Sequence, residues 1–383
     1  MHDSRGTAVV FSGGGTGGHL YPALAMADAL VAIRPDVRPF FVGAARGVEA
    51  RILPERGLPH LLLPVEGFQR GRGLASWRAV PALLASLGQV GQLFHDLRPE
   101  AVVVTGGYAG APAGLMGGLM GVPVFLQEQN AVPGVTNRAL ARLSARIHVA
   151  FPEAAERLPA RCRSRVRFTG NPVRPVPQVP RDQARLQFGL SAEAPVLLIT
   201  GGSQGSLALN RTVEDAVAEL HTGGLSRPGN LEVLWITGPK HLDGVEAALA
   251  AAGSPGWIHT VPYVDDMPAA LAAADLALSR AGAMTTAEFL AMGLPAILVP
   301  LPTSAEGHQE RNAEALQDAG AAVMAHQEGL TGEGLWDRVV RLVESPEERT
   351  RMSAAARERA RPHAADEIAR DLASLLPPAR RAA

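Results

Sequence analysis

The fold of this chain is decided by residues 9–22, which read VVFSGGGTGGHLYP. A short apolar run leads into five glycines within seven positions, and an apolar helical pattern follows. Residues 196–206, VLLITGGSQGS, repeat this arrangement, and their glycines start 188 positions later (201 minus 13) in a chain of 383 residues. Such a strand, loop and helix start exposes backbone N–H groups at the positive end of a helix, which suits a diphosphate. The repeat predicts two similar α/β domains.

Both halves of the chain alternate short apolar runs with amphipathic segments, and each half has six runs that predict strands. This alternation is typical of an α/β protein with a parallel, doubly wound sheet, which binds its ligands beyond the carboxyl ends of the strands. Four prolines within residues 171–182 predict an extended linker. We therefore expect one domain over residues 1–174, a second over residues 175–345, and C-terminal helices over residues 346–383 that pack back toward the first domain.

The composition excludes several classes of protein. A net charge of -1, from 36 basic and 37 acidic residues, argues against a general nucleic-acid binder, so we expect no nucleic acid among the partners. The single cysteine, Cys162, rules out a disulfide within the chain and favours a reducing compartment. The sequence has no metal-binding cysteine or histidine motif, no apolar core of a signal peptide, and no apolar run near the ~20 residues that span a bilayer.

The first glycine loop carries the residues that point to catalysis. Thr16 can cap the following helix or bind a phosphate oxygen, and His19 lies in the first turn of that helix. The positive helix end disfavours an imidazolium, so His19 suits a general base, although a packing histidine would look the same. The glycines also fit a dinucleotide fingerprint, but the acidic residue that should follow about 20 positions later is missing at residues 43–45, GAA.

Three further motifs lie at predicted strand ends. TGGYAGAP, residues 105–112, is a second glycine turn in the first half and indicates either a second phosphorylated ligand or a tight turn without one. QEQN, residues 127–130, offers a carboxylate and amides suited to sugar hydroxyls. SRAGAMTTAE, residues 279–288, opens a helix whose first turn suits an anion, and Glu288 is placed either to hold ribose hydroxyls or to remain solvated.

Seven motifs occur in one order over nearly the whole chain: GGGTGGHLYPALA, TGGYAGAP, EQN, GNPVR, GGSQGS, AGAMTTAE and HQERNA. Their order and spacing resemble the MurG family of bacterial N-acetylglucosaminyltransferases, which act in peptidoglycan synthesis on undecaprenyl-pyrophosphoryl-N-acetylmuramyl-pentapeptide. The resemblance implies the GT-B fold, in which two Rossmann-like domains face each other across a cleft. It also implies UDP-N-acetylglucosamine as the donor, an inverting transfer that forms a β1→4 link, and a reaction without cofactor or metal. The chain departs from that family at Ala281, where serine is frequent.

The resemblance also assigns roles to individual residues. For this reaction His19 is the expected general base, with Glu128 as its rival, and Gly15, Gly107 and Tyr108 are expected to receive the acceptor's pyrophosphate. The residues expected to bind the donor are Thr16, Gly17, Gly18, Asn130, Arg174, Ser203, Val264, Ala283, Met284, Thr285, Thr286, Ala287, Glu288 and Gln309. The first domain is then the acceptor and membrane side, and the second binds the UDP-sugar.

A lipid-linked acceptor requires an approach to a membrane, and residues 68–97 combine the features of an interfacial segment. Its apolar side chains are Phe68, Leu74, Trp77, Leu83, Leu84, Leu87 and Phe94, and its basic ones are Arg70, Arg72 and Arg78. The alternative is a core-facing helix with a solvated basic edge. We expect a peripheral protein at the cytoplasmic face of the cell membrane, bound to an anionic surface and partnered by cell-wall synthesis proteins.

Four other functions fit parts of the pattern. A GT-B glycosyltransferase with a different lipid acceptor, such as a diacylglycerol, and a UDP-sugar epimerase would share the donor site. An NAD(P) oxidoreductase would need the missing acidic residue. A non-catalytic scaffold for wall synthesis would tolerate the loss of His19, Glu128 and Glu288 together.

Overall fold

The computed structural model describes residues 6–65, 79–173 and 179–378. The chain forms two compact units, of which the first comprises Met1–Arg174 and Pro362–Ala383 and the second comprises Pro175–Arg361. Each unit is built on its own parallel β-sheet. The repeated pattern of glycine loops in the sequence therefore corresponds to two α/β units.

The first unit contains a seven-stranded parallel sheet with the strand order β3-β2-β1-β4-β5-β6-β7. Its strands are β1 (Thr7–Gly13), β2 (Val37–Ala44), β3 (His60–Leu63), β4 (Ala101–Gly106), β5 (Val124–Glu128), β6 (Ser144–Val149) and β7 (Val166–Phe168). Its helices are α1 (Gly17–Ile33), α2 (Glu49–Glu55), α3 (Ala79–Leu97), α4 (Gly107–Met120), α5 (Val135–Leu140), α6 (Pro152–Glu156) and, from the end of the chain, α15 (Ala364–Leu375). The strand order reverses between β1 and β4, so the loops that follow these strands meet at a topological switch point.

The second unit contains a six-stranded parallel sheet with the order β10-β9-β8-β11-β12-β13. Its strands are β8 (Val196–Thr200), β9 (Glu232–Ile236), β10 (Ile258–Val261), β11 (Leu276–Ser279), β12 (Ala296–Leu298) and β13 (Ala322–Met324). Its helices are α7 (Arg181–Gln187), α8 (Leu207–Thr222), α9 (Leu242–Ala251), α10 (Met267–Ala273), α11 (Ala283–Met292), α12 (His308–Asp318), α13 (Gly332–Glu344) and α14 (Pro346–Arg359). Here the order reverses between β8 and β11, which puts GGSQGS and SRAGAMTTAE at the switch point.

Strand β1 is fully buried because apolar groups cover both faces of its sheet. Val10 packs into a cluster with residues of α3 and α4, whereas Val9 and Phe11 pack into a second cluster with residues of α1 and α15. Successive residues of a strand point to opposite faces, so this apolar run requires cover on both sides. The buried strand β1 therefore holds the glycine loop that follows it in place at the end of the sheet.

The C-terminal helices divide between the two units. Helix α14 packs against α11 and α13, and its Met352 lies in the core cluster of the second unit. Helix α15 packs instead against α1, and its Ile368 and Leu372 lie in the same cluster as Leu20. Within the described part of residues 346–383, only α15 packs against the first unit as the sequence predicts, because the apolar positions of α14 are buried in the second unit.

Helix α15 is also held by charge. Asp371 lies 3.2 Å from Nε2 of His148 and 3.5 Å from Nε of Arg146, and His148 is buried on β6. The contact with His148 lowers the pKa of Asp371, and burial opposes that shift. Because the pKa is lower in the folded state, the ionised carboxylate stabilises the folded protein at pH values above the ordinary carboxyl pKa. This stabilisation is lost as the pH falls through the lowered, folded-state pKa.

We expect Asp371→Asn to lower the free energy of unfolding at pH 7 by about 1 kcal/mol, because His148 and Arg146 lose a partly exposed anionic partner. The deficit should shrink as the pH falls below the ordinary carboxyl pKa, because the unfolded wild type then binds a proton that the folded ion pair releases. Urea unfolding at pH 7 and pH 3 measures both values. Asp366→Asn, an exposed position on the same helix, is the matched control. A deficit that is equal at the two pH values would contradict the proposed ion pair.

Candidate active site

Two glycine loops of the first unit touch each other at its switch point. Gly107 has a φ of 70°, and a β-carbon there would collide with the carbonyl oxygen of Gly14. The ring of Tyr108 lies against Gly15, where a β-carbon would be 2.6 Å from the ring Cε1. Only glycine at positions 15 and 107 allows these two close contacts without displacing a neighbouring group. The structure therefore brings together Gly15, Gly107 and Tyr108, the three residues predicted to receive the acceptor.

The prediction for Gly15 needs a correction. Its backbone N–H already donates a hydrogen bond to Oε1 of Glu49 at 2.9 Å, so this N–H is not open to a pyrophosphate. Thr16 precedes α1 and makes no side-chain cap, and the N–H groups of Gly17 and Gly18 belong to the first turn, which has no acceptor within the helix. Any anion at this loop would be bound by these first-turn groups.

His19 is held in one defined tautomer. Its Nδ1 lies 2.8 Å from the backbone carbonyl oxygen of Thr105 and 3.1 Å from Oε1 of Gln129. Both partners are oxygen acceptors, so Nδ1 carries the proton and Nε2 carries the lone pair. The Thr105 hydroxyl also donates to the carbonyl oxygen of His19 at 2.8 Å. In the neutral form, a half-buried imidazole whose Nδ1 donates in this way has Nε2 as the atom that can accept a proton, as a general base must.

The amides of QEQN serve the protein rather than a sugar. Gln127 and Gln129 are buried, and Nε2 of Gln129 donates to the Thr105 carbonyl at 2.7 Å. Nε2 of Gln127 donates to Oδ1 of Asn171 at 3.2 Å, and Asn171 donates in turn to the carbonyl of Gln129 at 3.1 Å. The expectation that these two amides bind sugar hydroxyls is wrong, because both are buried and bonded to the protein itself, and Gln129 supports the carbonyl that orients His19. Asn130, the last residue of the motif, is half-buried.

Glu128 is fully engaged by its own loop. Oε1 accepts from the backbone N–H and the side-chain Nδ2 of Asn130, at 3.0 and 3.2 Å. Oε2 accepts from the N–H of Gly134 at 3.0 Å and from Nδ2 of Asn137 at 2.8 Å. The carboxylate is 2% exposed. Four donors around a buried carboxylate shape the loop that carries Asn130 and leave the group poorly suited to accept a substrate proton.

The second unit carries a glycine loop of the same kind between β8 and α8. Gly205 has a φ of 74°, and a β-carbon there would collide with the carbonyl oxygen of Thr237. Ser206 then caps α8, since its Oγ accepts from the N–H of Leu209 at 3.4 Å. Ser203 is exposed in the turn of this loop. The loop therefore lies tightly against β9 and presents Ser203 outward.

Arg280 is the functional candidate that the sequence analysis overlooked. It is 6% exposed, and its Nε and Nη2 donate to Oγ of Ser206 at 3.0 and 2.8 Å. It also donates to the Val299 carbonyl at 3.0 Å and to Oε1 of Gln327 at 2.6 Å. Burial lowers the pKa of this guanidinium, and the acceptors that the described residues offer it are all neutral. Arg280 thus places a positive charge, with no anionic partner among the described residues, behind the start of α8. This charge adds to the attraction of that helix end for an anion.

The first turn of α11 lies at the same switch point, and one prediction fails there. Thr286 is fully buried, its hydroxyl donates to the carbonyls of Gly282 and Ala283 at 3.1 Å each, and its N–H donates to Gly282 at 2.9 Å. Thr286 therefore has no donor left for a ligand. The other predicted residues of this turn are half-buried: Ala283, Met284, Thr285, Ala287 and Glu288.

Two more predicted donor contacts lie at other loops of the second unit. Val264 follows β10 and is 7% exposed, so its backbone is the part that a ligand could reach. Gln309 lies in the first turn of α12, and its Oε1 accepts from the N–H of Leu301 at 3.0 Å. Arg174 lies outside the described residues. Arg280 and the starts of α8 and α11 are thus the described groups best suited to a diphosphate.

Residues 9–149 match the glycosyltransferase family 28 N-terminal domain, and residues 196–368 match its C-terminal domain. Two relatives carry the name UDP-N-acetylglucosamine--N-acetylmuramyl-(pentapeptide) pyrophosphoryl-undecaprenol N-acetylglucosamine transferase. The protein from Moorella thermoacetica is 42% identical over 94% of this chain and 96% of its own length. The protein from Salinibacter ruber is 41% identical over 97% of this chain and 98% of its own length.

A solved structure gives the same result for the fold. The crystal structure of Acinetobacter baumannii MurG is 30% identical, covers 96% of this chain and 99% of its own, and has a TM-score of 0.77. Together with the two Rossmann-like units, this likeness assigns the fold to the GT-B class. The chain therefore belongs to glycosyltransferase family 28 and, within it, to the MurG family of N-acetylglucosaminyltransferases.

Proposed function

We propose that this chain transfers N-acetylglucosamine from UDP-N-acetylglucosamine to the 4-hydroxyl of the muramyl sugar in undecaprenyl-pyrophosphoryl-N-acetylmuramyl-pentapeptide. The observation that carries this proposal is the fixed tautomer of His19, whose Nδ1 faces the Thr105 carbonyl and whose Nε2 keeps its lone pair. A base of this kind is what an inverting single displacement needs at the acceptor hydroxyl. The names of the two relatives, which cover nearly the whole chain, support the same substrates.

In the proposed reaction, the acceptor oxygen forms a bond to C1 of N-acetylglucosamine while the bond between C1 and the diphosphate breaks. Nε2 of His19 takes the hydroxyl proton, and UDP leaves with the electron pair of the broken bond. The attack from the opposite face inverts C1 and gives the β1→4 link. Glu128 acts in this account as a positioning residue, because all four of its hydrogen bonds serve its own loop.

The donor is proposed to bind the second unit. The N–H groups at the starts of α8 and α11, together with Arg280 behind Ser206, would stabilise the charge that grows on the leaving diphosphate. Ser203 and Thr285 would contact the phosphates, Glu288 the ribose hydroxyls, and the backbone of Val264 the uracil. Gln309 and, from the first unit, Asn130 would contact the transferred sugar. Arg174 keeps its predicted role at the donor.

A membrane surface is proposed on α3. None of the helices within the described residues combines the length and apolar character that spanning a bilayer would need. Leu83 and Leu84 are 40% and 63% exposed, whereas Leu87 is half-buried and Phe94 is 1% exposed in the core. Phe94 is therefore removed from the predicted surface. Six of its other predicted residues lie outside the described residues: Phe68, Arg70, Arg72, Leu74, Trp77 and Arg78.

Replacing Leu83 and Leu84 together with asparagine should weaken binding to vesicles that contain anionic lipid by about tenfold, because two exposed leucines lose their transfer into the interface. Sedimentation with the vesicles measures the change. Leu186→Asn is the matched control, since Leu186 is 80% exposed in the second unit, which is proposed to bind the donor. Equal binding of the double variant and the wild type would remove α3 from the membrane surface.

The proposed function is tested by the release of UDP from UDP-N-acetylglucosamine. The muramyl lipid acceptor should trigger release, whereas diacylglycerol or no acceptor should not. Release with diacylglycerol would point to another lipid glycosyltransferase, and conversion of the donor to an epimer without any acceptor would point to an epimerase. Calorimetric titration with UDP-N-acetylglucosamine, UDP-glucose and NAD separates these functions from an oxidoreductase.

A further inference from the structure

Glu49 is a buried carboxylate that the proposed reaction leaves without a role. It begins α2, six residues after Gly43, and is 0% exposed. Oε1 accepts from the N–H of Gly15 at 2.9 Å, whereas Oε2 has no hydrogen-bond partner within the described part of the chain. A buried carboxylate with an unsatisfied oxygen is costly, so a position that keeps one needs an explanation.

Three glycines make room for this carboxylate. A β-carbon on Gly14 would lie 2.9 Å from Oε1, one on Gly43 would lie 2.7 Å from Cβ of Glu49, and one on Gly47 would collide with Oε2. These glycines come from the first loop, from β2 and from the segment between β2 and α2. The side chain is thus wedged between three backbone segments, and it contacts the loop that leads to His19.

The carboxylate of Glu49 lies next to the start of α1. Gly15 directly precedes Thr16, the N-cap of α1, so Oε1 meets the positive end of that helix. Burial raises the pKa of Glu49, and only the N–H groups of Glu49 itself and of Gly15 oppose that shift. Tyr108, which lies against Gly15, is the titratable neighbour on α4, and Arg46 in the segment before α2 is exposed.

We propose that Glu49 is a positioning residue for the general base: its carboxylate takes the place of an anion at the start of α1 and fixes the loop that carries His19 before any substrate binds. This inference rests on the proposed function insofar as His19 is the base. It also explains why the Gly15 N–H is not open to the acceptor's pyrophosphate. Without Glu49, the Gly15 N–H would lose its acceptor, and both the loop and the Tyr108 contact would relax.

The test compares Glu49→Ala and Glu49→Gln. We expect Glu49→Ala to lower kcat by about 10- to 100-fold, because a displacement of the base by less than 1 Å is costly, and to leave the KM and the dissociation constant for the donor within twofold. Glu49→Gln keeps an acceptor oxygen for Gly15 and should recover most of that loss. The controls are Glu55→Ala and Glu55→Gln at an exposed position of the same helix. Gly47→Ala should reproduce the loss of kcat by displacing the carboxylate, even if Glu49→Ala fails to fold.

The pH dependence of stability gives a second readout, which tests whether the fold keeps this carboxylate buried at a cost to stability. Since the folded-state pKa of Glu49 is raised, its ionisation opposes folding, and this disadvantage decreases as the pH falls from the raised value and is gone below the ordinary carboxyl pKa. Glu49→Gln should therefore unfold at a higher temperature than the wild type at pH 7, and the gap should narrow at low pH. A less stable Glu49→Gln at pH 7 would contradict a carboxylate kept for function.

The imidazole ¹⁵N spectrum of His19 needs no substrate and separates this proposal from the proposed function. The wild type should show the Nδ1–H tautomer, and Glu49→Ala should show a mixture. Four outcomes overturn the proposal: an unchanged kcat in Glu49→Ala, a loss that glutamine does not recover, a Glu49→Gln variant less stable than the wild type at pH 7, or an unchanged spectrum. A wild type that never turns over the lipid acceptor, but shows the expected tautomer shift, would overturn the proposed function alone.

Discussion

Replacing His19 with alanine should lower kcat by about 10²- to 10⁴-fold, the range that a positioned general base contributes. The reason is the hydrogen bond of Nδ1 to the Thr105 carbonyl, which leaves Nε2 as the lone pair that would accept the acceptor's proton. The affinity for UDP should change little, because the residues proposed to contact the phosphates, the ribose and the uracil (Ser203, Thr285, Glu288 and Val264) lie in the second unit and His19 is not one of the predicted donor contacts. Steady-state turnover with the lipid acceptor and calorimetric titration with UDP measure the two quantities.

The control for this variant is His95→Ala, an exposed histidine in the last turn of α3. It should retain the wild-type kcat, because His95 ends the helix that leads into the amino end of β4, whereas the second glycine loop follows the carboxyl end of that strand. Near-normal turnover in His19→Ala would exclude His19 as the base. A large loss in Glu128→Gln with an intact fold would then favour Glu128, although its four hydrogen bonds argue for a positioning role.

Replacing Arg280 with methionine should lower kcat/KM for the donor by about 10²- to 10³-fold, as expected when a preorganised group no longer stabilises developing charge. Arg280 is buried, and the acceptors around it are neutral, so its positive charge is available to an anion bound at the start of α8. Methionine fills a similar volume and leaves no opposite charge unpaired. Kinetics at varied donor concentration measure the loss, and circular dichroism checks the fold.

Arg311→Met is the matched control for Arg280, because Arg311 is exposed and pairs with Glu314 on the surface of the same unit. Its kinetics should equal those of the wild type. Arg280→Lys should recover little, since an ammonium cannot reproduce the fork that reaches Ser206, Gln327 and the Val299 carbonyl together. Wild-type kcat/KM in Arg280→Met would show that the buried guanidinium only supports the fold.

Much of the fold follows from local sequence. The apolar runs before the glycine loops form buried strands, and all six strands predicted in each half are present. The seventh strand of the first unit, Val166–Phe168, was missed because it has three residues and an exposed Arg167, so only its pairing with β6 defines it. The split of α14 from α15 was missed for a similar reason, since both are helical and only the packing of Met352 and Ile368 separates them.

The parts of the site that depend on backbone chemistry could be predicted from the sequence. The parts that depend on which side chains are buried could not. His19 and the paired glycine turns follow from loop and helix starts. The burial of the Gln129 and Thr286 side chains could not be predicted from the sequence. A polar side chain at a strand end or in the first turn of a helix can face either a ligand or the protein interior. Glu49 shows the limit most clearly: the dinucleotide pattern lacks an acid at residues 43–45, and the acid at position 49 turns inward to Gly15.

We propose that this chain makes a β1→4 bond between N-acetylglucosamine and a lipid-linked muramyl sugar. The most direct measurement is the structure of the product formed from UDP-N-acetylglucosamine and the purified muramyl-pentapeptide lipid, by mass spectrometry and by proton NMR of the new anomeric centre. The account predicts one added N-acetylglucosamine in β configuration on the 4-hydroxyl, with one UDP released for each. A lipid recovered unchanged, or a product with α configuration, would contradict it.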